Sequence, residues 1–379
     1  MPDPEPGALS DDALPLAGMR VVELAGVLAG PTAGQFFAEL GATVVKVEPP
    51  SGDVTRTWHL ASEDPDDDRP AYVCAANWGK TSVALDLATD AGRARLAALV
   101  DTADVVLTAY KPGDAARLGV DADTLRAARP RLVVADLTGY GPDDARPGYD
   151  AVIQAEAGWM HLNGTADGPP TKLPIAFVDL MAAHQIKEAV LAALFRRERT
   201  GQGATIRLSL VAAAVSALAN QGTAWLVAGV SPQRNGSAHP SIAPYGTPYA
   251  TATGDIVLAV GTDRQFAALC RVLGLDLHTD AGFARNADRV RHRAALDAAL
   301  APALAVWDRD ALLAALAAAH VPAGAVRTVP EAFEHPDAAR LVLREGGLAG
   351  LRQVAFTLDG APPRALAPPP PRPSLEAPP

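Results

Sequence analysis

From residue 19 onward the chain alternates short runs of apolar, β-branched residues with longer segments whose apolar side chains return every three or four positions. The runs at 19–24, 43–48, 82–87, 105–108 and 132–137 predict strands, and the segments 32–40, 90–101 and 121–128 predict helices. Such strands, alternating with helices, predict a parallel sheet covered on both faces. A further strand is expected at 204–210. It follows a long helix that closes at Thr200-Gly201-Gln202-Gly203, where glycine supplies left-handed backbone. Before that helix, the apolar segment Leu173-Pro174-Ile175-Ala176-Phe177-Val178-Asp179-Leu180-Met181 holds one acidic residue. It predicts a buried strand ending at Asp179, whose carboxylate is then either a helix cap or a reagent.

Beyond an irregular stretch at 231–249 the texture changes. A strand at 255–260 and helices at 264–273, 291–305 and 309–319 predict a separate α+β domain of about 100 residues. The predicted division is an acidic, Pro-rich leader at 1–15, a large domain at 16–222 and a smaller one at 223–325. A Pro-rich tail at 361–379 cannot form a helix or a central strand and is expected to be extended or disordered.

The length of 379 residues, half of them apolar, suffices for two domains with a substantial core. A formal charge of −10 argues against a nucleic-acid surface, but a few local cations would still hold a small anion. The two cysteines, Cys74 and Cys270, lack metal-site spacing, so no metal is expected and a reducing, cytoplasmic setting is. No apolar run approaches the roughly 20 residues of a membrane span, and the N-terminus lacks the charge pattern of a secretory signal. The expectation is a soluble protein without a membrane partner.

Glycines follow the first strand as Gly26, Gly30 and Gly34, which is not the spacing of a dinucleotide fingerprint. Only Glu48, ending the second strand, resembles a ribose ligand. Glycines four apart share a helical face and let that helix lie close to the sheet, and Pro31 suits its first turn. The N-terminus of this helix still opens from the carboxyl end of a strand, where open α/β sheets hold ligands.

A set of ordered motifs goes further. They are Leu16-Ala17-Gly18-Met19-Arg20-Val21-Val22-Glu23-Leu24, Ala29-Gly30-Pro31, Gly41-Ala42-Thr43-Val44-Val45-Lys46-Val47-Glu48-Pro49-Pro50 and Gly52-Asp53, then Asn77-Trp78-Gly79-Lys80-Thr81-Ser82, Leu85-Asp86-Leu87 and Lys111-Pro112-Gly113. Gly139-Tyr140-Gly141, Tyr149-Asp150, Val178-Asp179, Asn235-Gly236-Ser237-Ala238-His239-Pro240 and Val321-Pro322-Ala323-Gly324 complete it. In this order and spacing the chain resembles the family III CoA-transferases, a group with formyl-CoA transferase, carnitine CoA-transferase and, as a relative, α-methylacyl-CoA racemase. The resemblance implies an α/β fold: an open Rossmann-like large domain plus a smaller α+β domain, with the chain returning to the large one at 326–360, in an interlocked homodimer.

For chemistry, the resemblance implies that Asp179 is a nucleophile moving CoA from an acyl-CoA thioester to a carboxylic acid, with coenzyme A as substrate and no tightly bound cofactor. Lys80, Lys111 and Arg117 are the implied phosphate-binding cations, with Arg56 a weaker candidate. Val27, Leu28 and Ala29 would line the CoA site through their backbone, and Tyr110 and Tyr140 would pack on the cofactor. Asn235, Gly236 and His239 fall in a loop that shields the intermediate in some members, though a plain structural histidine fits His239 as well. Trp159, Met160, His161 and residues 237–245 are candidates for the acyl pocket.

The departures matter. Leu28 stands where formyl-CoA transferases carry glutamine, which argues against an oxalate-specific enzyme. Tyr149 stands where the racemases carry their catalytic histidine, and a phenol of reference pKa about 10 is a poor base near neutral pH. A transferase is therefore expected ahead of a 2-methylacyl-CoA racemase, epimerase or CoA-dependent lyase, and ahead of a non-catalytic CoA-binding protein.

Overall fold

The computed structural model describes residues 14–360 and 363–375, so the expected leader lies, but for Leu14 and Pro15, outside the described residues. The chain divides into two units. Among the described residues, the larger comprises 14–157, 173–226 and those from 336 onward, the smaller 158–172 and 227–335. The segment 158–172, expected in the large domain, thus belongs to the smaller unit.

In the larger unit the alternation seen in the sequence becomes a six-stranded parallel sheet. Its strands are β1 (Arg20–Leu24), β2 (Thr43–Glu48), β3 (Lys80–Ala84), β4 (Val105–Thr108), β5 (Val133–Thr138) and β6 (Thr205–Ser209), in the order β3-β2-β1-β4-β5-β6. Val22, Val106 and Val134 from neighbouring strands join one buried core. This order reverses direction between β1 and β4, and a crevice outside the carboxyl ends of these two strands follows from the topology.

Segment 173–178 is not a strand, which corrects the expectation for the approach to Asp179. The chain enters the helix Phe177–Thr200 directly. Gln154 replaces a sheet neighbour there: its Oε1 accepts the Leu173 N–H at 2.9 Å and its Nε2 donates to the Ile175 carbonyl at 3.4 Å. Strand β3 also begins earlier than expected, because Lys80 is a buried strand residue where the polarity pattern reads a loop.

The helix Ala29–Glu39 is buried along its whole length. Gly34 lies where a Cβ would stand 1.9 Å from a carboxylate oxygen of Glu23, and at Gly30 one would stand 2.3 Å from the Ala25 Cβ. The glycine series therefore does more than bring the helix near the sheet. It clears space for a buried charge.

The Pro-rich tail, where described, is extended and held. Ala367 accepts the Gly79 N–H at 2.9 Å, Arg372 donates to the Pro50 carbonyl at 2.9 Å, and Leu375 bridges to Ala84 at the edge of β3. An edge strand exposes unpaired backbone groups, and the tail covers part of that edge. Before it, β10 (Val342–Glu345) and β11 (Leu348–Leu351) form a hairpin across Gly346 and Gly347, both at positive φ as a two-residue turn requires.

The smaller unit holds the antiparallel sheet of β7 (Tyr245–Thr251), β8 (Gly254–Ala259) and β9 (Ala323–Ala325). Helices Asp263–Leu273, Arg293–Ala305 and Arg309–Ala318 pack Phe266, Leu269, Leu296, Leu300, Leu304, Leu312 and Leu316 into its core. The strand β7 was expected as irregular chain because it contains Gly246 and Pro248, residues that weaken a strand reading.

Candidate active site

Asp179 occupies the first turn of the helix Phe177–Thr200, whose N-cap is Ala176 and which has no side-chain cap of its own. Asp179 is therefore not the N-cap that its sequence context suggests. The capping work falls to Asp150, on the helix Asp150–Glu156: its Oδ1 accepts the Val178 N–H at 2.8 Å, and its Oδ2 accepts from Gln154 Nε2 at 2.7 Å. Relieved of that task, the Asp179 carboxylate makes no side-chain hydrogen bond among the described residues. It is 7% exposed and lines a cavity of about 240 Å³.

Burial without a partner pushes the Asp179 carboxyl up to about 7, and the charge of Asp150 adds to the rise. A carboxylate so poorly solvated is more basic and more nucleophilic than one in water. If its ionised form attacks, kcat/KM should climb as pH rises through about 7 and then level off. Asp150→Asn keeps an acceptor for Val178 but removes the neighbouring charge, so the limb should move to lower pH. Because burial is the larger cause, the limb should stay above the ordinary aspartate value of about 3.9. A pH–rate profile of the two proteins checks both statements.

The turn after β1 forms another part of the cavity wall. Gly26, Val27, Leu28 and Ala29 line it, and Val27 sits at φ +66, a costly region for a β-branched residue. Leu28 caps the helix Ala29–Glu39 without a side-chain acceptor, and the first turn has no acidic residue. Backbone donors at this helix start suit a developing oxyanion or a thiolate. Lys111 and Arg146 also reach the cavity.

A second cavity of about 540 Å³ shares Gly26, Ala109 and Tyr110 with the first and continues over the end of β2 and the segment 85–88 that follows β3. Arg117 and Leu87 line it. The Arg117 guanidinium stays largely exposed, with one carboxylate, Asp114, at 3.1 Å.

The expected site residues thus separate. Asp179, Val27, Leu28, Ala29, Tyr110 and Lys111 meet in the first cavity, and Arg117 joins them through the second. Tyr140 lines neither, and its ring lies under the Arg146 guanidinium, 3.9 Å away. Lys80 corrects its expectation as a phosphate ligand: its ammonium is enclosed and bonded to Glu23, Asn77 and the Pro31 carbonyl. Arg56 is likewise committed to Glu48 at 2.6 Å. Glu48 in turn accepts from Arg56, Ser82 and the Asp53 N–H, which leaves it no part as a ribose ligand.

Asn235, Gly236 and His239 lie in the smaller unit with Trp159, Met160 and His161. Asn235 bonds the Ala238 carbonyl. The His239 ring accepts from the Ser241 N–H at 3.1 Å and packs edge-on against Tyr245, an arrangement that supports a structural histidine. Asp150 and Arg146 are the functional candidates that sequence reasoning passed over. The Gly148-Tyr149-Asp150 motif was a signal for Asp150, but attention fell on its tyrosine.

These features meet known proteins at one point. The model of CoA-transferase family III matches residues 16–374. The chain belongs to that family. This CoA-transferase is 39% identical over 330 residues to the succinate–glutarate CoA-transferase of Agrobacterium fabrum, covering 85% of this chain and 82% of the relative. It is 34% identical to the acetyl-CoA:oxalate CoA-transferase of Acetobacter aceti, covering 88% and 87%. Its fold is similar to the crystal structure of a CaiB/BaiF family protein from Brucella suis, with a TM-score of 0.81, 40% identity and 96% of each chain covered.

Proposed function

We propose that this CoA-transferase moves CoA between carboxylic acids through covalent intermediates on Asp179, and that its acids are dicarboxylic. The observation that carries the reading is the buried, unpartnered Asp179 carboxylate facing a cavity that shares walls with a second one large enough for a nucleotide. The nucleotide end of CoA would lie in the second cavity with Arg117 at its phosphates. The pantetheine arm would pass Tyr110 to bring the thioester to Asp179, with Lys111 at hand for the diphosphate.

The steps balance without an added reagent. An Asp179 oxygen attacks the thioester carbonyl and expels CoA thiolate, leaving a mixed aspartyl anhydride. The thiolate attacks the aspartyl carbonyl and expels the donor acid, leaving an aspartyl–CoA thioester. An acceptor carboxylate attacks that thioester and again expels the thiolate, which then attacks the acceptor's own carbonyl and frees Asp179. The anhydride retains the thioester's free energy only where water is kept out, and a nearly enclosed carboxylate supports that.

Dicarboxylic acids are supported by the names of the two relatives and by Arg146, a half-exposed cation in the wall of the Asp179 cavity that would exchange its surface pairs with Asp144, at 2.8 Å, and Glu156, at 3.3 Å, for the acid's second carboxylate. The racemase reading loses support, since no histidine lines either cavity and Tyr149 stands in its place. A homodimer is supported by apolar surface on the larger unit, with Phe195 69% and Leu226 82% exposed. The two free, buried thiols accord with a cytoplasmic setting.

An exchange assay tests the function: succinyl-CoA as donor against a panel of mono- and dicarboxylic acids. Dicarboxylic acceptors should give the highest kcat/KM. Arg146→Ala should raise KM for them by about tenfold, the worth of one charged hydrogen bond, and leave monocarboxylic acceptors unchanged. Equal use of both classes would remove the dicarboxylate assignment.

A further inference from the structure

The steps above assign no role to four buried charged side chains, Glu23, Lys46, Asp53 and Lys80, of which Lys46 and Asp53 also line the second cavity. Glu23 on β1 accepts from Lys46 Nζ at 3.1 Å through one oxygen and from Lys80 Nζ at 2.8 Å through the other. Lys46 also pairs with Asp53 at 2.9 Å and donates to the Ala25 carbonyl at 2.7 Å. Lys80 donates as well to Asn77 at 3.0 Å and to the Pro31 carbonyl at 2.9 Å. Each ammonium has three donors, and each has three partners. Two positive and two negative charges balance.

The two backbone carbonyls in this network are informative. Ala25 immediately precedes the stretch Gly26 to Ala29 that walls the Asp179 cavity, and Pro31 lies two residues beyond it, in the first turn of the helix Ala29–Glu39. Val27, inside that stretch, sits at positive φ, a strained conformation that persists where the surrounding structure fixes it. Gly34 leaves the space that Glu23 and Lys80 fill, and a Cβ at Gly26 would stand 3.4 Å from Asp53. Buried ion pairs generally stabilise less than apolar side chains of the same volume. An apolar cluster here could fill the space but could not bond two carbonyls.

We propose that Glu23, Lys46, Asp53 and Lys80 are positioning residues that clamp the turn 26–30 at both ends and so aim its backbone at the reacting thioester. The proposal rests on the reading that acyl-CoA occupies the Asp179 cavity. It also assigns Lys80 a role, since its ammonium joins Glu23 to the Pro31 carbonyl.

The test compares Lys80→Met with the double variant Glu23→Gln/Lys80→Met. The double variant restores charge balance but leaves the Pro31 carbonyl without its donor. It should recover wild-type resistance to denaturant, yet exchange the amides of residues 26–30 and 32 about tenfold faster than wild type, while those of β5 do not change. Its kcat/KM for acyl-CoA should fall by about tenfold to a hundredfold, chiefly in kcat, because the turn is misplaced and not because binding is lost. Wild-type exchange at 26–32 together with wild-type kcat/KM would overturn the proposal. Should the double variant not fold, Asn77→Ala takes from Lys80 a neutral partner only: faster exchange at 26–32 supports the clamp and unchanged exchange overturns it. Should the wild-type protein turn over no acyl-CoA, the reading of the site fails while the exchange measurement still decides the clamp.

Discussion

Asp179→Ala should abolish CoA exchange, lowering kcat by about four orders of magnitude or more, as removal of a covalent nucleophile does. Affinity for CoA should hold, because the cations and the backbone that would grip it lie on other elements. Stability offers an independent sign. The folded state raises this carboxyl to about 7, well above its unfolded value, so ionising it costs the folded protein. That cost is absent below the unfolded pKa, grows as pH rises between the two values and is full above about 7. Asp179→Asn removes it, so the variant should melt higher than wild type at pH 8, with a smaller gain at pH 5. Melting curves at the two pH values check this. A structural cap would behave oppositely, since its loss costs about 1 kcal/mol at any pH where it is ionised.

Gly34→Ala should destabilise the protein, against the usual rule. In the interior of a helix alanine is favoured over glycine by about 1 kcal/mol. Here the added Cβ would stand 1.9 Å from a Glu23 oxygen and 3.2 Å from Lys80 Cε, so the buried pair must part or the helix must lift from the sheet. Breaking a buried pair costs about 3 to 5 kcal/mol, which leaves a net loss of about 2 to 4 kcal/mol. Guanidinium unfolding monitored on both proteins measures it, and a neutral or stabilising result would place the Glu23 carboxylate elsewhere. Activity should fall with stability, because the same helix begins at the cavity wall.

The sheet was legible because its strands are apolar and its helices periodic, and the strand Val105–Thr108 falls where the pattern puts it. The pattern fails where polarity misleads. Charged residues such as Glu23, Lys46, Glu48 and Lys80 ordinarily face solvent, yet all four are buried, because each is paired with an opposite charge, from eight residues away for Glu48 to 57 for Lys80 and Glu23. The resemblance had placed Lys80 among the phosphate ligands, and its burial with Glu23 was not visible in the sequence. Near Asp179 the opposite error occurs: Leu173 to Val178 is apolar enough for a strand, but Gln154, many residues earlier, satisfies its backbone instead. Arg146 could be assigned no role before the fold, since it only shares a cavity wall with Asp179, and Asp150, signalled by its Gly-Tyr-Asp motif, gains its role only once it is seen to bond the Val178 N–H beside that residue.

The central claim is that Asp179 becomes covalently acylated during turnover. Protein incubated with succinyl-CoA, without acceptor, and quenched with hydroxylamine should carry a hydroxamate on the peptide containing Asp179 and nowhere else, as seen by peptide mass analysis. Exchange that proceeds while Asp179 stays unmodified under this treatment would contradict the account.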